Sequence, residues 1–499
     1  MAMPDDPLTE VSRVRSHNII PSLFLDFMQM QEFAKHPFIV AKGAGIRLTD
    51  TSGKTWLDGL SGVFVTSIGH GNPRAIAAIT GQLQRLAFAP PLHATTPAAL
   101  ELAELLLKIA PPGVTALKFL SGGSEATEAA MKLARQYHQQ TGHPRKYKII
   151  GRYGAYHGGT MGALSAGGGR DRKSPFEPLC TGFLHVHPPY CYRCPFDQAY
   201  PGCGRTCTSL IERTIEAEDP ETIAAVIVEP VSISAAGFLV PPPDYLKRVR
   251  EICTRHNVVL IYDEIITGFG RLGTMFGSEH FGSAPDITCC GKGMSGGYAP
   301  LAAILIRDRI AEAFYGEEEA NVQFHHGHTF AGNPVACAAG VAVITEILER
   351  NLLANARRQG ERLHARLEAA AARSAIIGDV RGAGLLQGVE FVRDRHTGAR
   401  FPAPLRPGKL LEQEAARRGL LLRCGADFAA FAPPLTVTAD EVDEMLDLFD
   451  ESLAAAEQHL AVSASPITEQ RHSGTDISSP RESRAGTRIG EPTLPQARH

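Results

Sequence analysis

VVLIYDEIITGFGRLG, residues 258–273, is an apolar run that ends in two carboxylates, Asp263 and Glu264, and then a glycine-rich stretch. A short apolar run bounded in this way reads as a buried strand with its polar residues at the carboxyl end. The pattern recurs along the chain. AAVIVEPVS ends a second run in Glu229-Pro230, ALKFL leads into Gly122-Gly123-Ser124, and YKIIG precedes Tyr156-His157-Gly158. LAAILI, residues 301–306, is a further run of the same kind. Helical segments separate several of these strands. PAALELAELLLKIAPP is an amphipathic helix stopped by two prolines, and SGGSEATEAAMKLARQYHQQTG is a helix with a glycine-rich start. Such alternation predicts an α/β fold built on a mainly parallel sheet. Ligands gather at the carboxyl ends of such strands.

The flanking sequence differs in character. Residues 44–59, AGIRLTDTSGKTWLDG, alternate apolar and polar about T-S-G-K and read as a β-hairpin. Beyond residue 335 the chain is alanine-rich and helical, then strand-rich in GDVRGAGLLQGVEFV and LLLRCGADFAAFAPP. We expect a large domain over 76–335 and a smaller α+β domain over 336–460, to which residues 1–75 contribute. Residues 461–499 are rich in Ser, Thr, Pro, Gly and Arg, and are expected to be disordered.

The 499 residues carry a formal net charge of −3, with 44% hydrophobic and 21% charged residues. That balance leaves no nucleic-acid footprint and favours small-molecule chemistry. No run approaches the ~20 apolar residues of a membrane helix. The acidic start MAMPDDPLTE has no apolar run behind it, so no signal peptide is expected and the cytosol is the expected compartment.

Individual residues then suggest chemistry. Gly122, Gly123 and Ser124 at a helix start form either an anion site or an ordinary cap. Tyr156 offers a ring face to a planar ligand, or lies on a surface turn. Glu229 and Asp263 end separate strands and suggest one shared pocket, where each needs a cationic or N–H partner. Lys292 lies between glycines in an apolar segment. A lysine so placed has a depressed pKa and can act as an amine nucleophile, whereas snorkelling is the ordinary fate of lysines. His325, His326 and His328 form a weak metal pattern on an irregular segment. Trp56, the lone tryptophan, reads as core packing or as a substrate contact.

Four cysteines, Cys191, Cys194, Cys203 and Cys207, fall as C-x2-C-x8-C-x3-C within PYCYRCPFDQAYPGCGRTC. The spacing suits zinc or an iron–sulfur cluster held by thiolates. Disulfides and plain reduced thiols are the other readings.

The set G-S-E-A, Y-H-G, V-E-P, D-E-x-x-T-G-F-G-R, G-K-G and H-x-x-T-F-x-G-N-P resembles the class III aminotransferases, pyridoxal-phosphate enzymes of fold type I. The resemblance spans about residues 40 to 455 and implies a role for each position. Gly122, Gly123 and Ser124 would hold the cofactor phosphate. Tyr156 would stack on the pyridine ring with His157 beside it, and Ile265 would pack the opposite face. Asp263 would pair with the pyridinium nitrogen, sustaining the electron sink. Glu229 would lie near the substrate and the ring oxygen. Lys292 would bond the cofactor as a Schiff base and then carry the proton. Thr329 would reach the phosphate of a neighbouring subunit, which implies a homodimer with shared active sites.

One departure is Gly122-Gly123-Ser124, where many relatives carry Ser-Gly-Ser; one hydroxyl donor is lost. LLLRCG further resembles the amine:pyruvate branch, in which an arginine at the position of Arg423 accepts a carboxylate. The implied reaction moves an amino group from an amine or ω-amino acid to a keto acid such as pyruvate. An aminomutase on the same fold is the alternative. The partners are then small molecules and a second copy of the chain, with neither nucleic acid nor membrane.

Overall fold

The computed structural model describes residues 20–234 and 237–464. The run that opened the sequence reading forms the middle of a seven-stranded sheet. Its strands are β1 (Val114–Leu120), β2 (Lys148–Arg152), β3 (Phe183–Val186), β4 (Ile223–Val228), β5 (Val259–Asp263), β6 (Ile287–Cys290) and β7 (Ala302–Arg307). They lie in the order β1-β7-β6-β5-β4-β2-β3. Every strand runs parallel to the rest except β7, which is antiparallel to both its neighbours. The fold is therefore α/β on a mainly parallel sheet.

Every residue of β4, β5 and β6 is buried. A strand covered on both faces cannot alternate apolar with polar, which is why these segments read as continuous apolar runs. The helix Gly123–Gln140 packs against one face through Ala126, Ala129, Ala130 and Leu133. The helix Tyr245–Arg255 covers the other through Leu246, Val249 and Ile252.

The hairpin expected over residues 44–59 is present. Arg47–Asp50 pairs antiparallel with Thr55–Asp58, and the Asp50 carboxylate accepts the N–H groups of Ser52 and Lys54 across the turn. Leu420–Leu421 then joins Thr55–Asp58 in parallel, tying the two ends of the chain into one four-stranded sheet. Another four-stranded sheet consists of Ile377–Ala383, Leu386–Phe391, Phe428–Phe431 and Arg423–Cys424.

The final helix, Ala439–Ala464, continues past the boundary expected at 460. Its alanine-rich segment prolongs a packed helix, and Leu460 is still 5% exposed. The remainder of the tail expected to be disordered lies outside the described residues. No helix among the described residues is long and apolar enough to cross a membrane.

Candidate active site

A cavity of about 150 Å³ opens at the carboxyl ends of β1, β2, β4, β5 and β6. Gly123, Ser124, Tyr156, His157, Glu229, Asp263, Ile265 and Lys292 all line it, together with Gly158, Val231 and Ile266. Each follows an apolar run, so the sheet itself gathers residues up to 169 positions apart in sequence, from Gly123 to Lys292.

Asp263 ends β5 and is 5% exposed. Its Oδ2 lies 2.8 Å from His157 Nδ1, and its Oδ1 accepts the Ile265 N–H at 3.2 Å. The other ring nitrogen of His157, Nε2, is buried and has no partner among the described residues. Asp263 is thus a buried carboxylate whose orientation is fixed by a histidine. The adjacent Glu264 turns away from the cavity. It accepts the N–H groups of Gly277 and Ser278 and the Thr267 hydroxyl, and burial pushes its carboxyl up to about 7.

Lys292 follows β6 in a short turn with φ of +43°, a left-handed conformation held between Gly291 and Gly293. Burial lowers its amine below the ordinary lysine range, with Asp263 opposing that shift and Arg423 adding to it. Among the described residues no side chain hydrogen-bonds its Nζ. A neutral, unpartnered amine is what a lysine nucleophile needs.

Gly122 caps the helix Gly123–Gln140 without itself lining the cavity. Ser124 Oγ accepts the Gly159 N–H at 3.0 Å. Gly158 has φ of +140°, and a Cβ there would sit 2.5 Å from Ser124 Oγ. That position admits only glycine, and it keeps the helix start open to an anion.

Glu229 is 5% exposed, and its required cation is Arg152, the last residue of β2. Arg152 donates to the Glu229 backbone oxygen at 2.6 Å and to Oε2 at 3.1 Å. The Tyr156 N–H and the Ser232 hydroxyl complete the shell at 3.2 and 2.9 Å. Sequence reading missed Arg152, although an arginine closing a buried strand was a usable signal. Val231 and Ile266 were missed too; each lies one or two residues beyond a residue that was singled out.

Besides Gly122, three more expected residues do not line the cavity. Thr329 is exposed on the irregular segment after β7. Trp56 donates to Asp50 at 2.9 Å, packs edge-on against Phe38 and lies under Lys54, the packing alternative for this residue. Arg423 is half-buried beside Phe64, within electrostatic reach of Lys292. The histidine segment is taken up by protein contacts. His326 meets Lys132 at 2.9 Å and His328 at 3.0 Å.

The metal expectation for Cys191, Cys194, Cys203 and Cys207 is not supported. All four line one small hollow, yet no three of their sulfur atoms come within 4.8 Å of one another among the described residues. All four are free thiols, and burial pushes Cys207 up to about 11, away from the thiolate a metal requires. Ion pairs pin the loop instead. Tyr190 and Arg193 both bond Glu390, and Arg205 meets Asp244 at 2.9 Å.

Residues 29–453 match the family model for class III aminotransferases. The chain belongs to the class III aminotransferases, enzymes whose cofactor is pyridoxal phosphate. It is 40% identical over 446 residues to a probable aminotransferase of Mycobacterium tuberculosis, covering 88% of this chain and 94% of the relative. Among solved structures, an (S)-enantioselective omega-transaminase from Thermomicrobium roseum superposes with a TM-score of 0.85 at 35% identity. That match covers 89% of this chain and 98% of the other. An omega transaminase from Pseudomonas jessenii, solved in complex with PMP, matches with a TM-score of 0.86 at 32% identity over 89% and 98% of the two chains.

The residues present fit the family's cofactor. A free amine, a buried oriented carboxylate, an open helix start, and an aromatic and an aliphatic face meet in one cavity.

Proposed function

We propose that this enzyme moves an amino group from an amine or ω-amino acid to a keto acid such as pyruvate, in two half-reactions at one site. The observation that carries the proposal is the unpartnered Lys292 amine facing the same cavity as the Asp263–His157 pair. When bound, pyridoxal phosphate supplies an electron sink that stabilises negative charge at the substrate carbon. The remaining chemistry belongs to the chain. Asp263, held by His157, would favour a proton on the cofactor's ring nitrogen. The N–H groups of the helix start, with Gly122, Gly123 and the Ser124 hydroxyl, would hold the phosphate. Tyr156 and Ile265, which both line the cavity, would hold the ring. Lys292, whose amine burial holds below the ordinary lysine range, would move the proton at the substrate carbon.

Arg152 fixes the Glu229 carboxylate at the wall of the cavity. Arg423 receives the carboxylate of a keto or amino acid. Thr329 completes the phosphate site of a second copy of the chain. Its exposure beside Phe330 (61% exposed) and near-neighbour Phe88 (41%) supports a covering subunit. We further propose the division into a large domain over 76–335 and a smaller one over 336–460 with residues 1–75. The pairing of Leu420–Leu421 with Thr55–Asp58 supports it. Ten free thiols support the cytosol as compartment.

The test is a half-reaction. Enzyme loaded with pyridoxal phosphate is mixed with an amine donor alone, and its visible absorbance is followed. The proposal requires the cofactor to stop in its aminated form until pyruvate is added. Continuous turnover of the amine without any keto acid would instead establish an aminomutase.

A further inference from the structure

Arg423 is not the only guanidinium without a carboxylate partner near Tyr156, a residue that lines this cavity. Arg172 belongs to the short helix Arg170–Lys173, which follows Gly167-Gly168-Gly169. Its Cζ stands 4.3 Å from the centroid of the Tyr156 ring and 5.3 Å from that of Phe27. Tyr156 lines the cavity, so Arg172 lies one ring away from it. Arg423 approaches the same region from the strand Arg423–Cys424, its Cζ 5.9 Å from the Phe64 ring.

Neither guanidinium hydrogen-bonds or ion-pairs with a carboxylate among the described residues, although the protein pairs many of its other arginines. Glu412, the carboxylate that acts most on Arg423, is taken by Lys409 at 2.6 Å and by the Cys424 N–H at 3.3 Å. Burial lowers the pKa of Arg423 first, and the positive charge of Arg172 lowers it further. Two like charges that act on each other without a paired counter-ion repel. An anion placed between them relieves that repulsion and finds two planar donor forks.

We propose that Arg172 is a specificity-determining residue that joins Arg423 in a two-guanidinium cradle for the carboxylate of the substrate, selecting keto acids and amino acids over uncharged amines and aldehydes. The inference rests on the transaminase reading above and adds to it a second cation. Its physical consequence is asymmetric. A carboxylate loses a charge-assisted contact when Arg172 is removed, while an uncharged acceptor has nothing to lose there.

The experiment measures steady-state kinetics with one amine donor and two acceptors, pyruvate and butanal, for the wild-type enzyme, Arg172→Gln, Arg172→Lys and Arg423→Gln. The cofactor absorbance of each protein is recorded alongside. Arg172→Gln raises the KM for pyruvate by about tenfold or more, the loss of one charge-assisted contact. It leaves kcat within about twofold and the KM for butanal unchanged, and Arg172→Lys recovers part of the loss. Arg423→Gln shows the same selectivity between acceptors. The inference is overturned if Arg172→Gln leaves the KM for pyruvate unmoved, or raises both KM values equally as a distorted site would. A wild-type enzyme that binds the cofactor but turns over neither acceptor refutes the transaminase reading itself, a result distinct from either.

Discussion

Replacing Arg152 by Met removes the cation that neutralises Glu229 inside the cavity wall. Arg152 is 2% exposed and bonds both the Glu229 backbone oxygen and its Oε2. Breaking a buried pair strands its partner's charge and costs about 3–5 kcal/mol. Glu229 retains two donors, the Tyr156 N–H and the Ser232 hydroxyl, so the lower end, about 3 kcal/mol, applies here. With an unfolding entropy of ~2.1 cal/mol/K per residue, a chain of this length loses about 1 °C per kcal/mol, so the midpoint falls by about 3 °C. The assay is a thermal double-mutant cycle over wild type, Arg152→Met, Glu229→Gln and the double variant. The double variant no longer buries a stranded carboxylate, so its loss is smaller than the sum of the singles by at least ~1 kcal/mol. A midpoint for Arg152→Met equal to wild type, or strictly additive losses, refutes the assignment of Arg152 as the counter-charge.

Two further outcomes follow from the same geometry. Glu264 has a folded pKa of about 7, above that of the unfolded chain, so folding favours its protonated form. Stability therefore falls as pH rises from ~4.5 through 7, by up to ~3 kcal/mol, and levels off above. Glu264→Gln flattens that decline, as melting curves across this window check; an unchanged slope contradicts the assignment. Gly158→Ala forces a Cβ against Ser124 Oγ at a φ of +140°. It weakens pyridoxal phosphate binding by at least about tenfold in a fluorescence titration, while the fold persists by circular dichroism.

The parts of the site that were legible in the sequence were those read from strand ends. Strands β4, β5 and β6 are buried on both faces, so they read as largely apolar runs, and a charged residue at or just beyond the carboxyl end of each lines the cavity. Glu229 and Asp263 were found in this way, and Lys292 from its place between glycines in an apolar segment. Arg172 was not found, because a ring contact leaves no periodicity in a sequence; Arg152 closes a buried strand, but its partner is not written beside it. Arg152 and Glu229 are 77 residues apart and meet only because β2 and β4 are neighbours. The four cysteines misled for the complementary reason. A ligand-like spacing fixes how far apart the thiols lie along the chain, but the anchoring of Tyr190 and Arg193 on Glu390 decides where their sulfurs end up. The length of the last helix was also hidden, since alanine-rich sequence gives no stop signal before Ser463.

The central claim is that the Lys292 amine is the group that engages the cofactor. Protein loaded with pyridoxal phosphate and reduced with borohydride acquires a permanent phosphopyridoxyl label on the lysine that was bonded to it. Peptide mass mapping is predicted to find that label on Lys292, at about one per chain. A label on another lysine, or a reduced protein with none, contradicts the account.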